Sequence, residues 1–193
     1  MVDPFRIVKP FREPDQTPSL VVLNDQFKCA RDSGSLRAFQ VASALTGFRA
    51  SVLMGIFSRE GWFHDYAPAL TSADVRERAL ELSDCRRLIC EKQGHRFICT
   101  SKNYPFLSWP VRGWRDLTDG ELLRVTVASL DCGLWAYYHF SKGRDCDTGS
   151  TNQNYSADVL ARALAFARLL KERISLPHPY TLTQLAEQLT LRF

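Results

Sequence analysis

Length and composition indicate a single folded unit. With 193 residues and 45% apolar content, the chain can enclose one substantial hydrophobic core, so it needs no disulfide framework. Its net charge of +4 comes with nineteen Arg and only six Lys. We interpret this charge as ordinary surface ion pairs, with forked Arg contacts to phosphate as the alternative.

The first eighteen residues contain prolines at positions 4, 10, 14 and 18, with apolar and basic side chains between them. Proline at these intervals prevents a helix and favours extended backbone. We therefore predict an extended arm over residues 1–18 and one domain over residues 19–193. Apolar side chains on such an arm gain by lying along the domain or along a partner subunit, so we also predict a homodimer.

Three elements are predicted between residues 19 and 58. Ser19–Leu23 has the composition of a short strand, and a densely apolar helix begins after the turn at residues 32–35 and ends near Gly47. We expect that helix to be buried on most sides. Ala50–Phe57 is either its continuation or a buried strand. A charged Arg49 near the middle of this apolar region argues against a membrane span.

Two aromatic segments are predicted to be loops. The first contains Trp62 and Phe63, and the second lies between a predicted strand near residues 96–99 and the element that follows. The aromatic residues of the second loop are Tyr104, Phe106, Trp109 and Trp114. Since aromatic side chains are enriched at contact surfaces, we predict that both loops bind a partner.

Residues 71–92 carry the clearest helix pattern in the chain, with Thr71 and Asp74 at its start and apolar residues near one face. The basic residues of this helix do not form one stripe, which indicates a solvated surface. We nevertheless include Arg86 and Arg87 in the predicted binding surface.

The end of this helix leads into Cys85, Cys90, His95 and Cys99. Three thiols and an imidazole are the ligands that zinc prefers, and in ligand type the segment resembles a zinc knuckle. The spacing differs from that of structural zinc sites, because five helical residues turn the first two sulfurs away from each other. We therefore predict buried cysteines and no metal, with a zinc site as the alternative.

The stretch from Thr118 to Ser141 is the most apolar and aromatic run of the chain. Thr118 and Glu121 have the spacing of a capping box, which predicts a helix start. The β-branched run at residues 125–127 supports the alternative of a strand that ends near Ser129, followed by a helix that begins near Asp131. Both alternatives place the stretch in the core.

Residues 131–135 read Asp-Cys-Gly-Leu-Trp and resemble the nucleophile segment of the SUMO-specific and adenoviral-type thiol peptidases. The resemblance implies that Cys132 opens a helix whose dipole stabilises a thiolate. It also implies His64 as the base and Glu81 as the orienting carboxylate. Our preferred interpretation is that Cys132 is a buried core cysteine, and the peptidase is the alternative.

Residues 143–154 are polar and predict a surface loop, and a helix begins at Ser156 and ends before Pro177. Thr181 and Gln184 form another capping box, which predicts a C-terminal docking helix.

Together these features predict a mainly α fold with a minor β component. We expect a non-catalytic accessory or effector-like protein that binds another macromolecule and requires no cofactor. The alternatives are a non-specific RNA- or DNA-binding protein and a cysteine peptidase using Cys132. Without a secretory leader before its six cysteines, the chain is expected in the reducing cytoplasm, with the nucleus as a further location.

Overall fold

The computed structural model describes residues 17–63, 70–91, 97–98, 108–109 and 119–174. This part of the chain is mostly helical, as predicted. In chain order its α-helices are α1 (Leu20–Asp32), α2 (Ser35–Thr46), α3 (Ala50–Arg59), α4 (Ser72–Glu91), α5 (Asp119–Cys132), α6 (Trp135–Ser141) and α7 (Tyr155–Leu170). Most of the predicted arm and the predicted C-terminal helix lie outside the described residues.

Helix α1 replaces the strand predicted at its start, so that prediction is wrong. The Ser19 side chain accepts a hydrogen bond from the Val22 N–H at 3.5 Å and caps the helix. Leu23, Phe27 and Ala30 follow at helical spacing, with Leu23 and Ala30 fully buried. The short apolar run therefore belongs to a helix that packs on one face.

Helix α2 ends where predicted, because Gly47 adopts a left-handed φ of 75° and its N–H bonds to the Ser43 carbonyl at 2.8 Å. The expectation that this helix is buried on most sides is wrong. Val41 and Leu45, one turn apart, are 61% and 56% exposed. The neighbouring helices cover only the opposite face, which carries Phe39.

Helix α3 is buried from residue 50 to residue 58 and packs most extensively on α7. The two backbones approach closely at Gly55, where an added Cβ would lie only 2.6 Å from the Val159 carbonyl oxygen. Helix α3 is separate from α2, with Arg49 exposed between them. Among the described residues, no helix has the length and apolarity needed to cross a membrane.

Helix α4 begins with the predicted cap. The Asp74 carboxylate accepts a hydrogen bond from the Thr71 N–H at 3.0 Å, and the Asp74 N–H donates to the Thr71 hydroxyl at 3.2 Å. These reciprocal bonds satisfy two backbone groups at the helix start, so the sequence pattern is sufficient to place it.

Two strands of two residues each, β1 (Phe97–Ile98) and β2 (Ser108–Trp109), pair in antiparallel orientation, with Phe97 opposite Trp109. A pair of this length does not establish a β component of the fold. The minor β component therefore stays a prediction.

Helices α5 and α6 form a second apolar cluster together with Ile89 of α4 and Cys146. The β-branched run lies inside α5, so the strand alternative is wrong. The segment after α6 forms two short 3-10 helices, Cys146–Gly149 and Thr151–Gln153. Cys146 and Asp147 are 1% and 0% exposed, which corrects the prediction of a wholly surface loop.

Candidate functional site

A pocket of about 660 Å3 opens at the surface where α5, α6 and the first 3-10 helix meet. Gly133 ends α5 with a left-handed φ of 63°, and its N–H bonds to the Ser129 carbonyl at 2.8 Å. This turn brings the end of one helix beside the start of the next. The lining residues are Asp131, Cys132, Gly133, Trp135, His139 and Gly149.

A buried polar network holds the first 3-10 helix, which carries Gly149, against α5 and α7. The Arg124 guanidinium donates to both Asp145 oxygens at 2.9 and 3.1 Å and forms an ion pair with Asp147 at 3.3 Å. Asp147 also accepts hydrogen bonds from the Ser156 N–H at 2.9 Å and the Ser156 hydroxyl at 2.7 Å. A carboxylate in this position caps the start of α7 and anchors the 3-10 helix to it.

Asp131, at the end of α5, is hydrogen-bonded to the second 3-10 helix. The Asp131 carboxylate accepts hydrogen bonds from the Thr151 N–H and, at 3.0 Å, from the Thr151 hydroxyl. The 3-10 segment is thus fixed to α5 on one side and to α7 on the other. Such a preformed concave surface is typical of ligand sites.

Aromatic rings form one side of the pocket. Trp135 and His139 lie one helical turn apart, with ring centroids 6.0 Å apart and planes inclined by 32°. Tyr138 contacts both rings edge-on, at 5.3 Å from Trp135 and 5.6 Å from His139. These mutual contacts restrict the side chains and give the wall a defined shape.

Gly149 forms the floor where the other elements converge. A Cβ at this position would lie 3.7 Å from His139 Nε2, 3.7 Å from Trp135 Cβ and 3.8 Å from Cys132 Cβ. The backbone of Gly149 therefore lies beside His139, Trp135 and Cys132.

The Cys132 thiol is held in its protonated form. Burial raises its pKa to about 12, and the nearby carboxylates of Asp147 and Asp131 act in the same direction. The sulfur donates a hydrogen bond to the Ala128 carbonyl at 3.3 Å. Cys132 is also the last residue of α5, where the helix dipole disfavours a negative charge. This placement differs from the helix-opening position that the peptidase resemblance implies.

His139 is held as a neutral imidazole at pH 7. Burial lowers its pKa, and the positive charge of Arg144 adds to the effect. Its Nδ1 is buried without a hydrogen-bond partner in the described part of the chain. Neither group that could supply nucleophilic chemistry in this pocket therefore carries a charge near neutral pH.

The other residues of the predicted catalytic set are not brought to this pocket within the described residues. His64 lies outside them. Glu81 is on α4, where its carboxylate accepts a hydrogen bond from Arg78 at 2.7 Å.

Of the predicted aromatic binding residues, the structure describes the side chains of Trp62 and Phe63. Trp62 and Phe63 are half-buried and pack on the core, with Trp62 5.5 Å from Phe57 and Phe63 6.1 Å from Phe39 between ring centroids. Their aromatic character therefore serves packing at the core edge. Three further residues, Tyr104, Phe106 and Trp114, lie outside the described residues, as does the side chain of Trp109.

Both predicted basic contacts on α4 interact with groups of the same chain. The Arg86 guanidinium lies 4.3 Å from the Phe48 ring centroid and donates to the Thr46 carbonyl at 2.9 Å, so it caps the end of α2. Arg87 is exposed and forms an ion pair with Asp84 at 3.3 Å.

The predicted zinc ligands are only partly described. Cys85 is half-buried, and burial raises its pKa to about 11, with Glu81 and Asp84 adding to the shift. The side chain of Cys90 and all of His95 and Cys99 lie outside the described residues. Within the described ranges, no group of three metal-ligating side chains occurs.

The sequence analysis singled out Cys132 but did not predict the pocket. The i, i+3, i+4 spacing of Trp135, Tyr138 and His139 was a usable signal for one aromatic helix face. No local signal identifies Gly149 as the floor, because its position depends on the buried Asp147. Comparisons of the chain with protein families, curated proteins and solved structures find no match.

Proposed function

We propose that this chain is a non-catalytic interaction protein that binds another macromolecule at the α5–α6 pocket. One observation carries the proposal: Trp135 and Tyr138 pack against His139 in an aromatic wall beside Cys132, and the imidazole and the thiol are both uncharged at neutral pH. Such a surface suits binding, because thiol catalysis needs a thiolate and an activating partner.

The same proposal includes an intracellular location and an accessory or effector-like role. The described cysteines, at positions 29, 85, 132 and 146, are free thiols, which supports a reducing compartment. On α4, Arg78 and Arg87 are paired with carboxylates on their own helix, which reduces the charge that these two residues offer to phosphate. A protein partner is therefore preferred to nucleic acid.

Self-association remains part of the proposal. The exposed side chains of Val41 and Leu45 form an apolar stripe on α2, which supports a contact between copies of the chain. The arm predicted as the dimer contact lies mainly outside the described residues. The apolar stripe on α2 is therefore the dimer contact that can be tested from the structure.

Thiol reactivity tests the non-catalytic assignment. Iodoacetamide at pH 7.5 is expected to alkylate the exposed Cys29 at least tenfold faster than Cys132, because the thiolate is the reactive species and the pKa of Cys132 is about 12. Peptide mass spectrometry of the same sample measures both rates. Faster alkylation at Cys132 would favour the peptidase alternative.

Photo-crosslinking tests the binding assignment. A benzophenone amino acid replaces Lys142, an exposed residue 5.9 Å from the Tyr138 ring at the edge of the aromatic wall. The matched control replaces exposed Lys171 at the opposite end of α7, a helix about 24 Å long. We expect a discrete crosslinked polypeptide from position 142 only, and its loss when Trp135 is also changed to Ala. Identical products from both positions would contradict the proposal.

A further inference from the structure

The pocket has the features of a receptor for one flat aromatic group. Two of its lining residues, Gly133 and Gly149, present backbone without side chains, and Trp135 presents an indole ring. The protonated Cys132 thiol adds a polarizable, uncharged surface, and sulfur makes favourable contacts with aromatic rings. An aromatic ring gains more from such a site than an aliphatic chain does, because it stacks on the indole.

His139 supplies a polar atom that can orient that ring. His139 Nε2 lies close to the pocket floor, 3.7 Å from the position of a Cβ on Gly149. With the proton of the neutral imidazole on Nδ1, Nε2 accepts a hydrogen bond from a phenol O–H or an indole N–H. The pocket thus offers ring surface beside polar contacts from His139 and the Asp131 carboxylate, which matches the amphipathic side chains of Tyr and Trp.

The shape of the pocket favours a side chain inserted from another protein. Asp131, Gly133 and Gly149 are exposed, so the pocket opens directly on the surface. At protein interfaces, Trp and Tyr are enriched among the anchor residues that fill pockets near the centre of the contact and become desolvated there.

We infer that the α5–α6 pocket binds a Tyr or Trp side chain of a partner protein, stacked on Trp135 and hydrogen-bonded to His139 Nε2. This inference rests on the proposed function and specifies the chemistry of the partner.

NMR titration of the full chain with N-acetyl-tyrosinamide and N-acetyl-tryptophanamide tests it. At least one of these probes is expected to cause saturable shifts of the Trp135 indole N–H and the Gly149 amide. The aliphatic control, N-acetyl-leucinamide, is expected to bind at least tenfold more weakly, since it cannot stack. Equal binding of the leucine derivative would overturn the inference.

Two variants locate the site. Gly149→Ala is expected to fold normally, because its Cβ makes ordinary contacts of 3.7–3.8 Å, and to weaken binding about tenfold by filling the floor. Trp135→Leu keeps an apolar side chain but is expected to lose about tenfold in affinity with the stacking surface. Leu169→Ala, at an exposed site on α7, is the control that leaves affinity unchanged. Unchanged affinity in the Gly149 variant would contradict the proposed location.

The outcomes separate this inference from the proposed function. If free indole and p-cresol bind but the N-acetyl amides do not, the pocket belongs to a small aromatic molecule and the partner side chain is refuted. If no aromatic probe binds while crosslinking at position 142 still depends on Trp135, the proposed function is supported and the aromatic anchor is refuted. If the amides bind and no crosslinked polypeptide forms, the proposed function fails although the ring site exists.

Discussion

The contact between α3 and α7 makes a strong prediction for Gly55→Ala. A Cβ there would lie 2.6 Å from the Val159 carbonyl oxygen, 3.1 Å from the Ala163 nitrogen and 3.2 Å from the Ala163 Cβ. The first two atoms belong to backbone and cannot rotate away. The helices must therefore separate by roughly half an ångström or more, and gaps of that size forfeit a quarter to a half of each dispersion contact.

Two opposing effects determine how much Gly55→Ala changes the free energy of unfolding. Replacing Gly by Ala inside a helix stabilises it by about 1 kcal/mol, whereas overpacking a well-packed interface costs about 1–3 kcal/mol or more. Because α3 and α7 share the most extensive interface of the described chain, we expect the overpacking cost to lie in the upper part of that range, at about 2–3 kcal/mol. The net change should be a destabilisation of about 1–2 kcal/mol, or roughly 2–8 °C in Tm for a chain of this size.

Urea and thermal unfolding followed by circular dichroism measure this change. Ala44→Gly, at an exposed site on α2, is the matched control, and it should lose about 0.5–1 kcal/mol from helix propensity alone. A Gly55→Ala variant as stable as the parent protein would refute the close backbone contact.

Three further results are expected. Asp147→Ala should lower the free energy of unfolding by about 3 kcal/mol in urea titrations, because it removes the α7 cap and one partner of a buried guanidinium, and a loss below about 1 kcal/mol would refute that role. The lowered pKa of His139 means that the unfolded chain binds its proton more readily, so stability should fall as pH decreases below about 6.5. His139→Gln should reduce this dependence in melts between pH 7.5 and 5.5, and an unchanged profile would contradict the assignment. The pair Val41→Asp and Leu45→Asp should convert a dimer to a monomer in light scattering, whereas Leu169→Asp should not, and a dimer that persists in the double variant would exclude the α2 contact.

Local sequence signals were sufficient where the element carries its own boundary. The Thr71 and Asp74 cap predicted α4, and Gly47 predicted the end of α2, because both act through backbone groups only a few residues away. The strand predicted at Ser19–Leu23 was wrong because a short apolar segment fits a strand or a helix equally well. The residues that pack on this segment lie far along the chain.

The pocket depended on contacts that the sequence does not reveal locally. Residues 143–154 are polar and look like a surface loop, yet Asp147 is fully buried because Arg124, 23 residues earlier, pairs with it. Likewise, the pattern around Cys132 suggested the start of a helix, whereas Gly133 makes it the end of one. Both outcomes are set by tertiary context.

The α3–α7 pairing also bears on the order in which the chain folds. Ser58 and Arg162, which join the two helices by a hydrogen bond, are separated by 104 residues. At ribosomal rates of roughly 5–20 residues per second, α3 emerges roughly 5–20 s before its main partner exists. During that interval the apolar surface of α3 is exposed to solvent, because α7 is not yet present to cover it. We therefore expect newly made chains to bind chaperones until α7 has been synthesised.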